Sequence, residues 1–227
     1  MRDYRKFYIG GAWVEPAHKQ TLDIVNPATE EVVGRTALAA ADDVDRAMQA
    51  ARAAFTDFSV SDRAQRRDLL RRIIAEYERR YADMADAITQ EMGAPIRFSR
   101  EAQTAIALDH LKIATEAFER FAFEETRGST LLRREPIGVC VFITPWNWPA
   151  NQISSKVAPA LVAGCTMVLK PSEIAPFSAQ VWTEIMDAAG TPPGVFNMIF
   201  GDGPVTGAAL SAHPEADMVS FTGSTLA

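Results

Sequence analysis

Four short apolar runs set the strongest limit on what this chain folds into. They are Val139 to Ile143, Thr166 to Leu169, Val195 to Phe200 and Met218 to Phe221. Between them lie stretches that read as helices. These are Gln152 to Val162 with Pro159 inside it, Phe177 to Ala189 ended by Gly190, and Pro204 to Leu210. Near-continuous apolar strands alternating with helices predict a parallel sheet covered on both faces. In such sheets ligands bind beyond the carboxyl ends of the strands. The residues that follow each run are therefore where chemistry is expected.

The residues before position 139 follow a different grammar. Phe7-Tyr8-Ile9 ends at Gly10-Gly11, and Leu22 to Val25 ends at Asn26-Pro27, which are strand and turn signals. A helical period then begins after Asp42-Asp43, with Val44, Ala47, Met48, Ala51, Ala54 and Phe55 on one face. A second helix is expected from near Ser61. Its face is Leu69, Leu70, Ile73, Ile74, Tyr77, Tyr81, Met84 and Ile88, and Gly93 with Pro95 ends it. A third is expected from about Ser99 to Phe121. Its stripe of Ala102, Ala105, Ile106, Leu108, His110, Leu111, Ile113 and Phe118 is wide enough to predict burial on more than one side. Residues 124–136 read as a polar hairpin around Gly128. The arginine pairs Arg66-Arg67 and Arg71-Arg72 fit either an acidic partner or a solvated face, and the interleaved Asp68, Glu76 and Glu78 favour the solvated face.

The 227 residues allow one large domain or two modest ones, and a formal charge of −6 gives no general attraction to nucleic acid or to an anionic membrane. Two cysteines make no disulfide framework, so a reducing, cytoplasmic setting is expected. Cys140 lies inside an apolar strand and reads as inert filling. Cys165 lies at the amino end of the next strand, away from the expected ligand edge. His18, His110 and His213 stand apart, without metal-ligand spacing, and no metal is expected.

The four strand ends carry the candidate site. Ile143 leads into Thr144, Pro145, Trp146, Asn147, Trp148 and Pro149. The side-chain amide of Asn147 can donate to an oxyanion or close an Asx turn, and residue chemistry alone favours the turn. Lys170 and Glu173 after the second run fit contacts with an adenosine ribose, and equally a salt-bridged loop. Gly201-Asp202-Gly203 is a weak glycine signal, because Gly207 is one place too late for a dinucleotide fingerprint. Thr222-Gly223-Ser224 suits a pyrophosphate at a helix start, or a plain helix cap.

Taken together these stretches resemble one family. PWNWP at 145–149, AGCTMVLKPSE at 163–173, PPGVFNMIFG at 192–201 and FTGST at 221–225 look like the NAD(P)-dependent aldehyde dehydrogenase superfamily, in its order and at its spacing. The resemblance covers essentially the whole chain. It implies a Rossmann-like α/β fold with N-terminal helices and a β-hairpin arm. Residues 1–123 would be the strands and helices of the cofactor-binding domain's first part, 124–136 an oligomerisation hairpin, and 137–227 the NAD-binding βαβ units. It implies that Asn147 holds the substrate oxygen and that Lys170 and Glu173 hold the adenosine ribose, favouring NAD over NADP. Ile143, Thr144, Pro145 and Trp146 would line the cofactor cleft, with Gly203 on the adenine side and Ser224 at the pyrophosphate. The implied reaction is oxidation of a small-molecule aldehyde to an acid through a cysteine thioester.

The same resemblance places the nucleophilic cysteine and the glutamate base beyond FTGST, outside this chain. The expectation is a truncated amino-terminal portion, inactive alone, that self-associates through its hairpin and exposed sheet edges. A catalytically dead nucleotide-binding or subunit-pairing fragment is the alternative.

Overall fold

The computed structural model describes residues 1–224. Thr225, the last residue of the FTGST stretch, lies outside the described residues. In chain order the strands are β1 (Arg2–Tyr4), β2 (Phe7–Ile9), β3 (Ala12–Val14), β4 (Thr21–Asn26) and β5 (Glu31–Ala37). Helices α1 (Ala41–Phe58), α2 (Arg63–Arg79), α3 (Tyr81–Met92), α4 (Ile96–Phe98) and α5 (Ala105–Arg120) follow, with a π-helical segment at Ser99–Thr104. The hairpin strands are β6 (Glu124–Arg127) and β7 (Thr130–Arg133). Then come β8 (Val139–Ile143), α6 (Pro149–Ala163), β9 (Thr166–Lys170), α7 (Phe177–Ala188) and β10 (Phe196–Met198). A second π-helical turn at Gly203–Gly207, α8 (Ala208–Ser211) and β11 (Met218–Phe221) complete the order.

The main sheet has the order β11-β8-β9-β10-β2-β3. Its first four strands are mutually parallel, as the alternating pattern requires. All residues of β8 and β9 are buried, which is why the sequence reads there as unbroken apolar runs. The last two strands come from the other end of the chain. β2 pairs antiparallel with β10, and β3 closes the edge on β2. Phe7 and Phe200 meet across this seam, with ring centroids 6.4 Å apart. A separate sheet, β1-β5-β4, packs on α7, where the Cζ of Phe177 lies 2.5 Å from where a Cβ on Gly34 would sit.

Two helical expectations need correction. The expected second helix is two helices. The backbone leaves helical geometry at Arg80 (φ −98°, ψ 14°), whose side chain binds both Asp83 and Glu184. Apolar periodicity runs straight through because α2 and α3 both pack on the core, so the pattern carries no sign of the break. The third helix does not bury both sides. Ala107, Leu108, Leu111 and Phe118 face the core, whereas Ile113 is 61% exposed and Ile106 also meets solvent.

Most of the arginine-rich faces are solvated as expected, with Arg71 beside Asp68 and Glu119 and Arg79 on Glu76. Arg66 departs from this pattern and is buried. Among the described residues no helix is long and apolar enough to cross a membrane.

Candidate functional site

The chain runs from β8 through β9 to β10 in one direction across the sheet, then returns to place β11 on the far side of β8. The order therefore reverses between β8 and β11. A crevice opens at the carboxyl edge of such a reversal, because the two following connections leave in opposite directions. The Thr222 amide donates to the Ile143 carbonyl at 3.1 Å, and the Thr144 amide donates to the Lys170 carbonyl at 3.1 Å. The ends of β11, β8 and β9 are thus stitched side by side, and the expected residues Ile143, Thr144, Lys170 and Ser224 share one edge.

The loop after β8 is rigid for identifiable reasons. Trp148 adopts left-handed geometry (φ 54°, ψ 47°), uncommon for a bulky residue, and Pro149 opens α6 with its fixed φ. The Trp148 ring packs edge-on against Phe98 at 5.3 Å. Trp146 does not pack inward as a stiffening residue would. It is 52% exposed and forms one wall of a cleft with Val25, Met92 and Ile174. Asn147 is exposed, and its side chain makes no hydrogen bond with the described residues. The Asx turn that residue chemistry favoured is absent, so the amide is free to donate elsewhere.

Lys170 is 2% exposed, and its Nζ lies 3.2 Å from Oε2 of Glu173. The salt-bridged loop is therefore real, but it does not use up the pair. The second carboxylate oxygen of Glu173 has no partner among the described residues, and this side chain is about a third exposed (34%). A buried ammonium beside a half-open carboxylate fits a vicinal diol, which can accept from one and donate to the other.

Beyond β10, Asp202 accepts from the amides of Val205 (2.8 Å) and Thr206 (3.3 Å). This turn is capped by its own carboxylate, which disfavours a phosphate there. Gly203 faces open space, so a flat, uncharged surface is all it offers. Ser224 is exposed at the end of the described chain.

Two neighbours of the site escaped sequence reasoning. Lys156 on α6 donates from Nζ to the Ser220 and Thr222 hydroxyls at 2.9 and 3.0 Å, inside the reversal, and burial lowers its pKa. His110 contacts the Asn151 side chain at 2.6 Å and ties α5 to the first turn of α6. A lysine in mid-helix and a lone histidine carry no local signal; both matter only because β11 and α5 return to α6. Beneath the site, Glu91 of α3 is buried and accepts the amides of Phe177 and Ser178, capping α7 from outside. Burial raises its pKa to about 7, against the opposing pull of those hydrogen bonds and of Arg2.

Cys140 and Cys165 both lie at the amino end of β8 and β9, at the opposite end of the sheet from Asn147. Among the described residues no cluster of three or more metal-ligating side chains occurs.

The comparisons with known proteins agree with this geometry. The family model described as the aldehyde dehydrogenase family matches residues 13–227. A 3-succinoylsemialdehyde-pyridine dehydrogenase from Pseudomonas sp. is 53% identical over the whole chain, which covers 48% of that protein. An aldehyde dehydrogenase crystal structure from Bartonella henselae superposes with a TM-score of 0.97 at 46% identity, covering 100% of this chain and 48% of that one. A mutant aldehyde dehydrogenase C from Pseudomonas syringae, in complex with NAD+ and octanal, gives 0.93 at 47% identity, over 95% and 44% of the two chains. The chain spans about half the length of the curated relatives it matches.

Proposed function

Because this chain belongs to the aldehyde dehydrogenase family, we propose that its carboxyl sheet edge binds NAD and that it takes part in oxidising an aldehyde to a carboxylic acid. The observation that carries this reading is that the ends of β11, β8 and β9 lie side by side at one reversal of strand order, with the Asn147 amide and the pair of buried Lys170 and partly exposed Glu173 on the same edge.

Lys170 and Glu173 hold the adenosine ribose hydroxyls. The Glu173 carboxylate repels a 2′-phosphate, so NAD is taken in preference to NADP. Ile143, Thr144, Pro145 and Trp146 form the cleft wall, Gly203 leaves room on the adenine side, and Ser224 meets the pyrophosphate. Bound NAD supplies a hydride acceptor. The neighbours whose structures contain NAD+ support NAD as the bound nucleotide.

Asn147 donates its amide to the aldehyde oxygen as negative charge grows on it during attack by a thiolate. Neither cysteine of this chain is placed for that attack, since both sit at the wrong end of the strands. On this reading the nucleophile and the glutamate base are supplied from outside residues 1–227. The 124–136 hairpin, with Leu131 exposed, pairs with another copy of the chain, and the division at 123 and 136 separates this arm from the nucleotide-binding units. The setting is cytoplasmic.

A second reading, a nucleotide-binding or subunit-pairing fragment without chemistry of its own, is favoured by the lack of a thiol at the carboxyl edge of the described residues. Calorimetry with NAD and an assay for NADH test both. NAD binding without turnover of small aldehydes is expected from the chain alone. Turnover that disappears in Cys165→Ala would overturn the placement of the nucleophile, and a chain that does not bind NAD would overturn the cofactor site.

A further inference from the structure

We propose that the cleft between α2 and the base of the β6–β7 hairpin is a phosphate site, in which Arg66 and Arg63 hold a phosphate dianion, either free or as the head of a small phosphate ester. The cleft has a volume of about 680 Å³. It is lined by Arg63 and Arg66 of α2, by Phe55 and Phe123, and by Arg133 and Arg134 at the end of the hairpin.

Arg66 is the side chain that calls for a ligand. It is 7% exposed, it makes no ion pair with the described residues, and its buried Nε has no hydrogen-bond partner. A Cβ on Gly164 would collide with its Nη1, so the guanidinium occupies space that only a glycine leaves there. A buried cation without a paired anion is strongly unfavourable.

Arg63 doubles the charge. It stands three residues earlier on α2, on the same helix face. Its guanidinium lies over the rings of Phe118 and Phe123 at 5.0 and 5.3 Å, and that of Arg66 lies over the same two rings at 5.5 and 5.6 Å. Arg63 donates to the carbonyls of Phe118 and Phe121, which bring no charge to balance it. The nearby carboxylates are engaged elsewhere. Glu124 and Glu135 line the cleft but pair with Arg133 at 2.9 and 4.0 Å, Glu125 pairs with Arg134 at 3.2 Å, and Asp62 accepts the Ala64 amide of its own helix. Two guanidiniums are thus left without a carboxylate. A phosphate dianion matches their charge, and its oxygens suit the donor fork of each arginine. Phe55 and Phe123 leave an apolar wall for an organic group carried by the phosphate.

The cleft opens at the amino end of the sheet, where Pro136 and Ala163 precede β8 and β9. One five-residue strand, roughly 16 Å, separates it from the carboxyl edge, so the site is independent of NAD bound there.

The test titrates the 227-residue chain with inorganic phosphate and with phenyl phosphate by calorimetry, at mildly alkaline pH and against chloride of equal ionic strength. Thermal unfolding is followed at the same low-millimolar concentrations, where the stabilisation that phosphate gives any protein by exclusion is small. Saturable binding and a higher Tm are expected. Tighter binding of phenyl phosphate marks an ester as the ligand, and equal binding marks free phosphate. Arg66→Met replaces the unpaired cation with an apolar side chain, so it should fold at least as stably. It should weaken phosphate binding by about tenfold or more and leave NAD binding unchanged. Arg63→Gln should weaken phosphate binding as well. Unchanged phosphate binding in Arg66→Met, or displacement of phosphate by NAD, would sink the proposal. So would a chain that binds no phosphate and instead forms a dimer that Arg66→Met dissociates, because the cleft would then hold an acidic side chain of a second copy.

Discussion

Lys170 Nζ stands 3.2 Å from Glu173 Oε2, with the lysine almost wholly buried and about a third of the glutamate side chain exposed. The arrangement fixes the ammonium at the end of β9 and leaves one carboxylate oxygen facing outward. That asymmetry is what a ribose-reading pair needs, because the glutamate has to exchange part of its surroundings for the ligand.

Glu173→Gln should weaken NAD binding by about tenfold, the scale of one hydrogen bond to a charged group. It should also narrow the margin between NAD and NADP, because the repulsion of a 2′-phosphate is lost. Titration calorimetry with both nucleotides measures this, and an unchanged ratio would remove Glu173 from the ribose site.

Asn147→Ala should leave the denaturation midpoint of the chain unchanged, since its amide bonds to none of the described residues. In an enzyme where this chain is joined to a nucleophile, the same change should lower kcat by roughly 10²–10³-fold, the usual loss of one oxyanion donor. A large loss of stability instead would mean that the amide has a structural partner.

The buried Glu91 carboxyl makes stability fall with rising pH. Its pKa moves from 4.5 in the unfolded chain to about 7 in the folded one. Between these values the folded state holds the proton that the unfolded state has released. This group's contribution therefore declines from pH 4.5 to about 7 and is level above. The decline amounts to about 3 kcal/mol. Glu91→Gln should remove that slope, read as the difference in urea midpoint between the two chains across the window. A difference that does not change with pH would show that Glu91 titrates normally.

Gly34→Ala should destabilise the chain by about 1–3 kcal/mol, the range for an overpacked contact. Its Cβ would fall 2.5 Å from Phe177 Cζ and 2.7 Å from the Arg2 carbonyl oxygen. Both are pinned, one in α7 and one in the β1–β5 pairing. Thermal unfolding reports the loss, and a neutral outcome would mean that the β1-β5-β4 sheet slides freely on α7.

The parallel sheet was legible in the sequence because its cause is local. A strand buried on both faces must be apolar at every position, and Val139 to Ile143 shows that without any knowledge of its neighbours. The candidate ligand edge followed from the same pattern, since the residues after each strand stand at the carboxyl ends by construction. The break at Arg80 was not legible, because α2 and α3 present one continuous apolar period to the core. Nor was the exposure of Ile113, where an apolar stripe wider than the available contact surface leaves one residue in solvent.

The sequence by itself determined the element types, the parallel core and the placement of Asn147, Lys170 and Glu173 just after strands, at the carboxyl edge of the sheet. Only the tertiary structure decided that β2 and β3 complete the sheet beside β10, that Glu91 caps α7, and that Lys156 meets Ser220 and Thr222. It alone buried Arg66 against Gly164 and left the Asn147 amide without a partner among the described residues. The reason is the range of the interactions. Periodicity and turn chemistry are fixed by residues a few places apart, whereas a buried charge or an unpaired amide takes its meaning from groups that only folding brings next to it.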